Sequence, residues 1–287
     1  MDRRVRVVVI IALPHSGSHL LSQLLGAHSR CVSIGELHNY DKFLHRPGSG
    51  NVIANYTEDA LFAGLERAPE SRWHELIMSN ARQRYPQATT LIDNSKRVEW
   101  CRRLTGNPQL QVIPVLLLRD PRALTRYWKL RYDSRRKIRR QRIRHARMAP
   151  WQAPALFTCP PLELYIRKWL LRNQEATRLL ARTGHRDNMV TYHDLTTRPV
   201  RTLERLMPLL DLEFEPGQLQ FGDVQQHGTV KAEYRQASRH SHLQLDVRWQ
   251  SDLDPEEIRA ISTDARVIRY LDSLGLAMTD AGLSSFR

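Results

Sequence analysis

Residues 5–25 read V-R-V-V-V-I-I-A-L-P-H-S-G-S-H-L-L-S-Q-L-L, and the order of residue types within them decides the fold. Val5 to Leu13 is an almost unbroken run of β-branched and aliphatic side chains, too short to cross a bilayer and typical of a strand covered on both faces of a parallel sheet. Pro14-His15-Ser16-Gly17-Ser18 supplies a turn, and Leu20, Leu21, Leu24 and Leu25 then recur at helical spacing. Strand, tight polar loop and helix make a phosphate-binding geometry. The first turn of a helix leaves backbone N–H groups without intrahelical partners and carries positive partial charge, Gly17 permits close approach, and the serine hydroxyls add donors. The nucleotide triphosphate version of this loop, G-x-x-x-x-G-K-[ST], is absent, which argues against a kinase or an ATPase.

Similar strand ends follow along the chain. Cys31 to Ile34 reads as a short strand ending at Gly35-Glu36-Leu37-His38, and Ala88 to Ile92 as a buried strand ending in Asp93-Asn94-Ser95-Lys96. Gln111 to Leu118 ends in Arg119-Asp120-Pro121-Arg122, with Pro121 suited to the first helical turn, and Asn188 to Tyr192 is followed by His193-Asp194-Leu195 and a helix through Leu210. Strands alternating with helices predict an α/β fold, a mainly parallel sheet flanked by helices, with ligands at the carboxyl ends of the strands. Between these elements, residues 41–56 read as an exposed, mobile loop. Two helical segments are predicted over 57–84, starting at Thr57 and Ser71, and one helix from Ala123 through the basic stretch to before Pro150. Residues 149–161, with four prolines, read as irregular, Leu162 to Ala181 as a helix, and Pro255 to Leu271 as a closing helix.

Nothing in the composition of the 287 residues marks a linker, so one domain is expected over 1–287. The 41% hydrophobic and 26% charged residues fit a soluble globular protein without a transmembrane segment. Arg3, Arg4 and Arg6 before an apolar run imitate a signal peptide, but the run is short and a phosphate-type loop follows, so it reads as structure. Cys31, Cys101 and Cys159 lack C-x-x-C spacing and suit reduced thiols in the cytoplasm. A net charge of +14 favours an anionic ligand, an anionic polymer or a nucleic acid as partner. Much of the excess lies between Arg126 and Arg147, where Asp133 is the single acidic residue; a solvated helical face and a counter-anion site are both open readings of it.

Taken together, the strand ends resemble those of sulfotransferases that use 3′-phosphoadenosine 5′-phosphosulfate (PAPS), the bacterial members above all, over nearly the full length. The loop P-H-S-G-S-H-L-L resembles the 5′-phosphosulfate site of that family, and L-L-L-R-D-P-R-A at 116–123, the most diagnostic segment, resembles its 3′-phosphate site. I-D-N-S-K at 92–96 is similar to a D-x-S-K element, and M-V-T-Y-H-D-L at 189–195 to a Y-E-D-L strand end that brings in Tyr192. Trp169 with Asn173 is similar to the helix preceding that strand in the family, and Trp249 sits where a late tryptophan is common in it. The resemblance implies a P-loop-like sulfotransferase fold and transfer of a sulfuryl group from PAPS to a hydroxyl or amine, releasing adenosine 3′,5′-bisphosphate, with no metal. It implies that Pro14, His15, Ser16, Gly17, Ser18 and His19 hold the 5′ end and that Arg119 forks onto the 3′-phosphate, two anion sites a nucleotide's length apart on one rim. Glu36 would be the base, with Lys96 and His15 as cations beside the transferring group. The competing structural roles are an ion pair with Asp120 or a cap for Arg119, a helix cap for Glu36 and a surface position for Lys96.

Some residues depart from the family's pattern. His15 stands where relatives place Lys or Arg, and it offers charge only when protonated, a form a bis-anion favours. His19 replaces a hydroxyl residue, and Tyr127 stands where a serine often contacts the 3′-phosphate, although its hydroxyl can donate. The family's late G-N is missing from Q-H-G-T-V-K-A-E-Y-R, which leaves Lys231, Arg235 and Arg239 as candidate nucleotide contacts. His15 and His19 as a metal pair lack a third ligand, and a hydrolase is disfavoured by the absence of G-x-S-x-G. The basic region at 126–161 reads as a lid or trough for a small-molecule or carbohydrate acceptor, an anionic or polyanionic one above all. The alternative is a nucleic-acid- or polyanion-binding protein on a degenerate version of the fold; Tyr127, Trp128 and Tyr132 cluster at one end of the basic run rather than interleaving it, which disfavours nucleic acid.

Overall fold

The computed structural model describes residues 4–44, 48–49, 52–225, 227–231 and 243–285. Five parallel strands form the central sheet: β1 (Val5–Ala12), β2 (Cys31–Ser33), β3 (Thr90–Lys96), β4 (Leu110–Leu118) and β5 (Met189–Thr191), in the order β2-β3-β1-β4-β5. β1 is the middle strand because both its faces are apolar. Val7, Val9 and Ile11 face one core with Trp100, Trp128 and Trp169, while Val8, Ile10 and Ala12 face a second with Leu21, Leu24, Leu203 and Leu206. The chain leaves β1 toward β2 and later crosses back to place β4 on its other side, so the carboxyl end of β1 lies where the strand order reverses.

The helices that carry site residues are α1 (Ser18–Gly26), α2 (Trp73–Arg84), α3 (Val98–Thr105), α4 (Pro121–Arg131), α5 (Arg135–Met148) and α6 (Pro161–Arg182). Several boundaries differ from the sequence expectation, each for a local reason. β3 runs through Lys96 instead of ending at Ile92, because its polar residues find partners inside: buried Asp93 accepts from the Trp100 indole at 2.8 Å and from the Ser95 N–H at 2.9 Å, and pairs with His74 at 3.0 Å. The basic helix is two helices, since the chain turns at Tyr132 to Ser134 and the Ser134 hydroxyl caps α5. No helix starts at Thr57. Short 3₁₀ turns at Ala60–Phe62, Leu65–Arg67 and Glu70–Arg72, interrupted by Gly64 at φ +83° and by Pro69, precede α2, which starts at Trp73.

The segment after β2 forms a short helix at Tyr40–Leu44, and Val52–Ala54 pairs antiparallel with Gly48–Ser49 and Thr229–Lys231. The proline-rich interval contains a short helix, Ala153–Thr158. After β5, Pro199 restarts the chain in a second helix, Pro199–Leu209. The closing segment is likewise two helices, Pro255–Ser262 and Ala265–Asp272, separated where Asp264 caps the second. Arg235 and Arg239 lie outside the described residues, and Lys231 closes the strand paired with Val52. No described helix is long and apolar enough to cross a membrane.

Candidate active site

The loop after β1 enters α1 through Gly17, whose φ of 91° is left-handed; among the described residues no side chain caps the first turn, and that turn holds no acidic residue. Its N–H groups therefore stay electropositive toward the sheet's rim. Gly17 is required twice over, because a Cβ there would also stand 2.4 Å from the Tyr192 ring. His15 has a positive φ of 69°, and its ring stacks on Tyr127 with centroids 3.5 Å apart. Ser16 and Ser18 are buried, and Ser16 Oγ has no hydrogen-bond partner among the described residues. Pro14 is exposed at the bend.

β2 and β3 deliver the charged pair. Glu36 opens a 3₁₀ turn at Leu37–Asn39 after β2, and its Oε1 lies 2.5 Å from Lys96 Nζ and 3.2 Å from His19 Nε2. The Asn39 amide donates to its other oxygen at 3.0 Å, and Tyr56 hydroxyl fixes its backbone by donating to the carbonyl at 2.9 Å. Lys96 ends β3 at φ +66° and also approaches His19 Nε2 at 3.2 Å, while Asn94 meets His19 Nδ1 at 3.3 Å. Burial alone would raise the Glu36 carboxyl, but Lys96 and His19 outweigh it and hold the group well below the ordinary carboxylate range. Glu36 is thus ionised, and Lys96 is its ion-pair partner, not an isolated surface lysine.

Arg119, at the end of β4, shares a rim with the loop: its Nη1 donates to His15 O at 2.8 Å. Asp120 is not its partner. Asp120 caps α4 and binds Arg122 through both carboxylate oxygens, at 3.0 and 2.7 Å, while Arg122 lies over the Trp249 ring at 4.0 Å. Arg119 Nη2 instead donates to Asp246 at 2.8 Å, its guanidinium lies over the Tyr192 ring at 4.2 Å, and its Nε is buried without a partner among the described residues. Asp246 was not expected from the sequence. A hydrogen bond from Arg248 holds its carboxyl below the usual range, and Arg119 adds to this against the opposing effect of burial. The spacing Asp246, Arg248, Trp249 was the signal available: an acid and a base immediately before a tryptophan that packs against the strand-end motif.

Of the expected site residues among these, all but Ser16, which is buried within the loop, line one cavity of about 1100 Å³. Its near wall holds Pro14, His15, Gly17, Ser18, His19, Glu36, Lys96, Arg119, Tyr127, Tyr192 and Asp246. Its far wall comes from α4, α5 and α6 and includes Trp128, Tyr132, Arg144, Lys168, Arg172 and Asn173. The aromatic residues at the head of the basic run therefore face the cavity, with Trp128 1% exposed.

No protein-family model matches the sequence, and no curated protein matches it. Its fold has counterparts among solved structures. The sulfotransferase domain from the curacin biosynthetic pathway is similar with a TM-score of 0.59 at 18% identity, over 95% of this chain and 98% of that one. The sulfotransferase domain from the Synechococcus PCC 7002 olefin synthase is similar with a TM-score of 0.53 at 19% identity, over 92% and 95%. The chain has the α/β fold of sulfotransferase domains, a parallel five-stranded sheet flanked by helices.

Proposed function

We propose that this protein is a sulfotransferase that moves a sulfuryl group from PAPS to a hydroxyl or amine of its acceptor. The observation that carries the reading is the single cavity onto which the uncapped first turn of α1, the Arg119 guanidinium and the Glu36–Lys96 pair all open. Its volume of about 1100 Å³ exceeds the roughly 300–1,000 Å³ of a pocket for one drug-sized ligand, which suits a donor and an acceptor side by side. The site also fits the donor chemically: Arg119 lines the cavity with its Nε buried and without a partner among the described residues, and Gly17 leaves the close approach a phosphosulfate needs.

In this reading the α1 amides, Ser16 and Ser18 hold the 5′ end. Arg119, released from Asp246, meets the 3′-phosphate beside Tyr127 and Tyr192. The acceptor oxygen bonds to sulfur as the bond from sulfur to the 5′-phosphate oxygen breaks, and the acceptor's proton passes to Glu36. Lys96 turns from Glu36 to the sulfuryl oxygens as charge moves toward the departing phosphate, where protonated His15 offsets it. The free thiols Cys31, Cys101 and Cys159 fit a reducing cytoplasm; burial pushes Cys31 and Cys101 up to about 12 and keeps them inert. Binding of nucleic acid by the basic region is the weaker reading, because Trp128 and Tyr132 face inward where bases cannot stack on them.

Adenosine 3′,5′-bisphosphate is expected to raise the melting temperature, by about 2.7 kcal/mol of added stability at a hundredfold excess over its Kd. A shift with ATP and none with the bisphosphate at millimolar concentration overturns the assignment.

A further inference from the structure

We propose that the far wall of the cavity, with Lys168 at its centre and Arg144, Arg172 and Asn173 around it, is a subsite for a negatively charged group on the acceptor, a carboxylate, sulfate or phosphate. This rests on the transferase reading for its meaning, but its geometry is independent of the donor end.

Several cations around the cavity have carboxylates: Lys96 has Glu36, Arg119 and Arg248 share Asp246, Arg126 has Asp252 and Arg103 has Glu70; Lys42, Arg97 and Arg131 have none among the described residues but are exposed to solvent, whereas Lys168 is half-buried. Lys168 has none among the described residues. Its ammonium lies over the Trp128 ring at 4.2 Å and the Tyr132 ring at 4.7 Å, and its hydrogen bonds go to neutral groups, Tyr132 Oη at 3.2 Å and Gln141 Oε1 at 3.4 Å. One turn along α6, Arg172 divides its charge between Glu99 at 3.1 Å and Glu175 at 3.4 Å, and α5 adds Arg144, which has no carboxylate partner among the described residues. Gathering like charges against a partly buried wall is unfavourable in the empty protein and becomes favourable once an anion enters.

Asn173 supplies a second, separate sign. It is 2% exposed, it lines the cavity, and its Nδ2 donor has no partner among the described residues, which a buried amide seldom tolerates unless a ligand completes it. Burial, reinforced by Arg144 and Arg172, pushes the Lys168 ammonium down to about 7, the strain expected of a cation that lacks its counter-ion. The class of acceptor that follows is one whose hydroxyl or amine reaches Glu36 while an oxyanion at its other end rests between α5 and α6.

The test uses inorganic sulfate as the probe, with saturating adenosine 3′,5′-bisphosphate to block the donor end. Sulfate is expected to raise the melting temperature of the wild type beyond chloride at equal ionic strength, and Lys168→Met to weaken its apparent affinity roughly tenfold or more while the bisphosphate Kd stays within about twofold. Should Lys168→Met fail to fold, Arg144→Gln, an exposed position, is expected to weaken sulfate several-fold. No sulfate effect in the wild type, or an equal effect in the folded variants, overturns the subsite. If the bisphosphate itself fails to bind, the transferase reading falls, and the same titration without it still decides whether sulfate depends on Lys168.

Discussion

Replacing Lys96 by methionine separates what the Glu36–Lys96 pair does for the fold from what it does for the reaction. The two groups are 2.5 Å apart, with side chains 17% and 15% exposed. A fully buried carboxylate that loses its partner costs about 3–5 kcal/mol, and an exposed pair contributes about 0–1 kcal/mol. Glu36 opens on the cavity and keeps the Asn39 amide at 3.0 Å and His19 at 3.2 Å, so the expected loss for Lys96→Met is about 2 kcal/mol. Glu36→Gln strands the ammonium and costs a similar amount, while the double variant loses less than the sum by about 1 kcal/mol. Turnover behaves differently. Each single variant is expected to lose a factor of roughly a hundred to ten thousand in kcat, and the double little more than the worse single, because both groups act in one transition state. The sign of the pH dependence follows from Glu36. Its folded pKa is depressed, so its stabilising contribution is present above the unfolded value of about 4.3 and is lost as pH falls through that value toward the folded one. Turnover should show no acid limb from Glu36 above about pH 5. Urea unfolding at low salt and kcat against pH from 5 to 9 measure both halves. Strictly additive stability losses, or an acid limb near pH 6 that Glu36→Gln abolishes, refute the reasoning.

Three further outcomes follow from the same geometry. Gly17→Ala drives a Cβ into the Tyr192 ring at 2.4 Å from a left-handed backbone; it is expected to destabilise by about 1–3 kcal/mol and to weaken adenosine 3′,5′-bisphosphate at least tenfold by calorimetry, and unchanged affinity removes the loop from the donor site. Asp246→Asn takes a competing carboxylate off Arg119 and is expected to tighten the bisphosphate about threefold to tenfold; weaker binding means that Asp246 orients the guanidinium instead. Sulfate affinity at the far wall should be level below about pH 6 and fall by up to tenfold per unit above pH 7, because an anion raises the Lys168 pKa from about 7 and its binding then takes up a proton. The groups facing Lys168 are Arg144 and His145 of α5, Arg172 of its own helix and the hydroxyl of Tyr132. Burial first of all holds His145 down to about 4, and burial raises Tyr132, so Lys168→Met should flatten the profile.

How much of this was legible in the sequence depends on how far apart the cooperating residues lie along the chain. β1, its loop and α1 are contiguous, and apolar periodicity with a Ser-Gly turn is enough to place them. Glu36, Lys96, Arg119 and Tyr192 each follow a strand whose hydrophobic run is visible, and parallel pairing then brings four distant segments to one rim without any side-chain detail. The errors fall where tertiary partners override local patterns. β3 continues through Asp93-Asn94-Ser95 because His74 and Trp100 reach in from α2 and α3, and although Trp100 is near in sequence, nothing in the local pattern shows that its indole or the distant His74 turns onto Asp93. The expected long basic helix divides because Ser134 is a better cap than a helix interior residue, a choice that the density of arginines on either side conceals.

The same distinction explains why the donor half of the cavity could be read and the acceptor half could not. Strand ends are ordered by the sheet, so a motif at one of them fixes position and facing together. Lys168, Arg144 and Asn173 are helical residues whose facing depends on how α4, α5 and α6 cross; in a chain of net charge +14 the sequence marks Asn173 only by resemblance and Arg144 only as part of the basic region, and it does not mark Lys168. What singles out Lys168 is that it is half-buried without a carboxylate partner among the described residues, whereas the other unpaired cations lining the cavity, Lys42, Arg97, Arg131 and Arg144, are exposed. Net charge alone would assign the basic segment to any polyanion. The half-buried Lys168 instead places unneutralised charge inside the cavity, on the wall made by α5 and α6, where it can discriminate between acceptors by their own charge as well as by their shape.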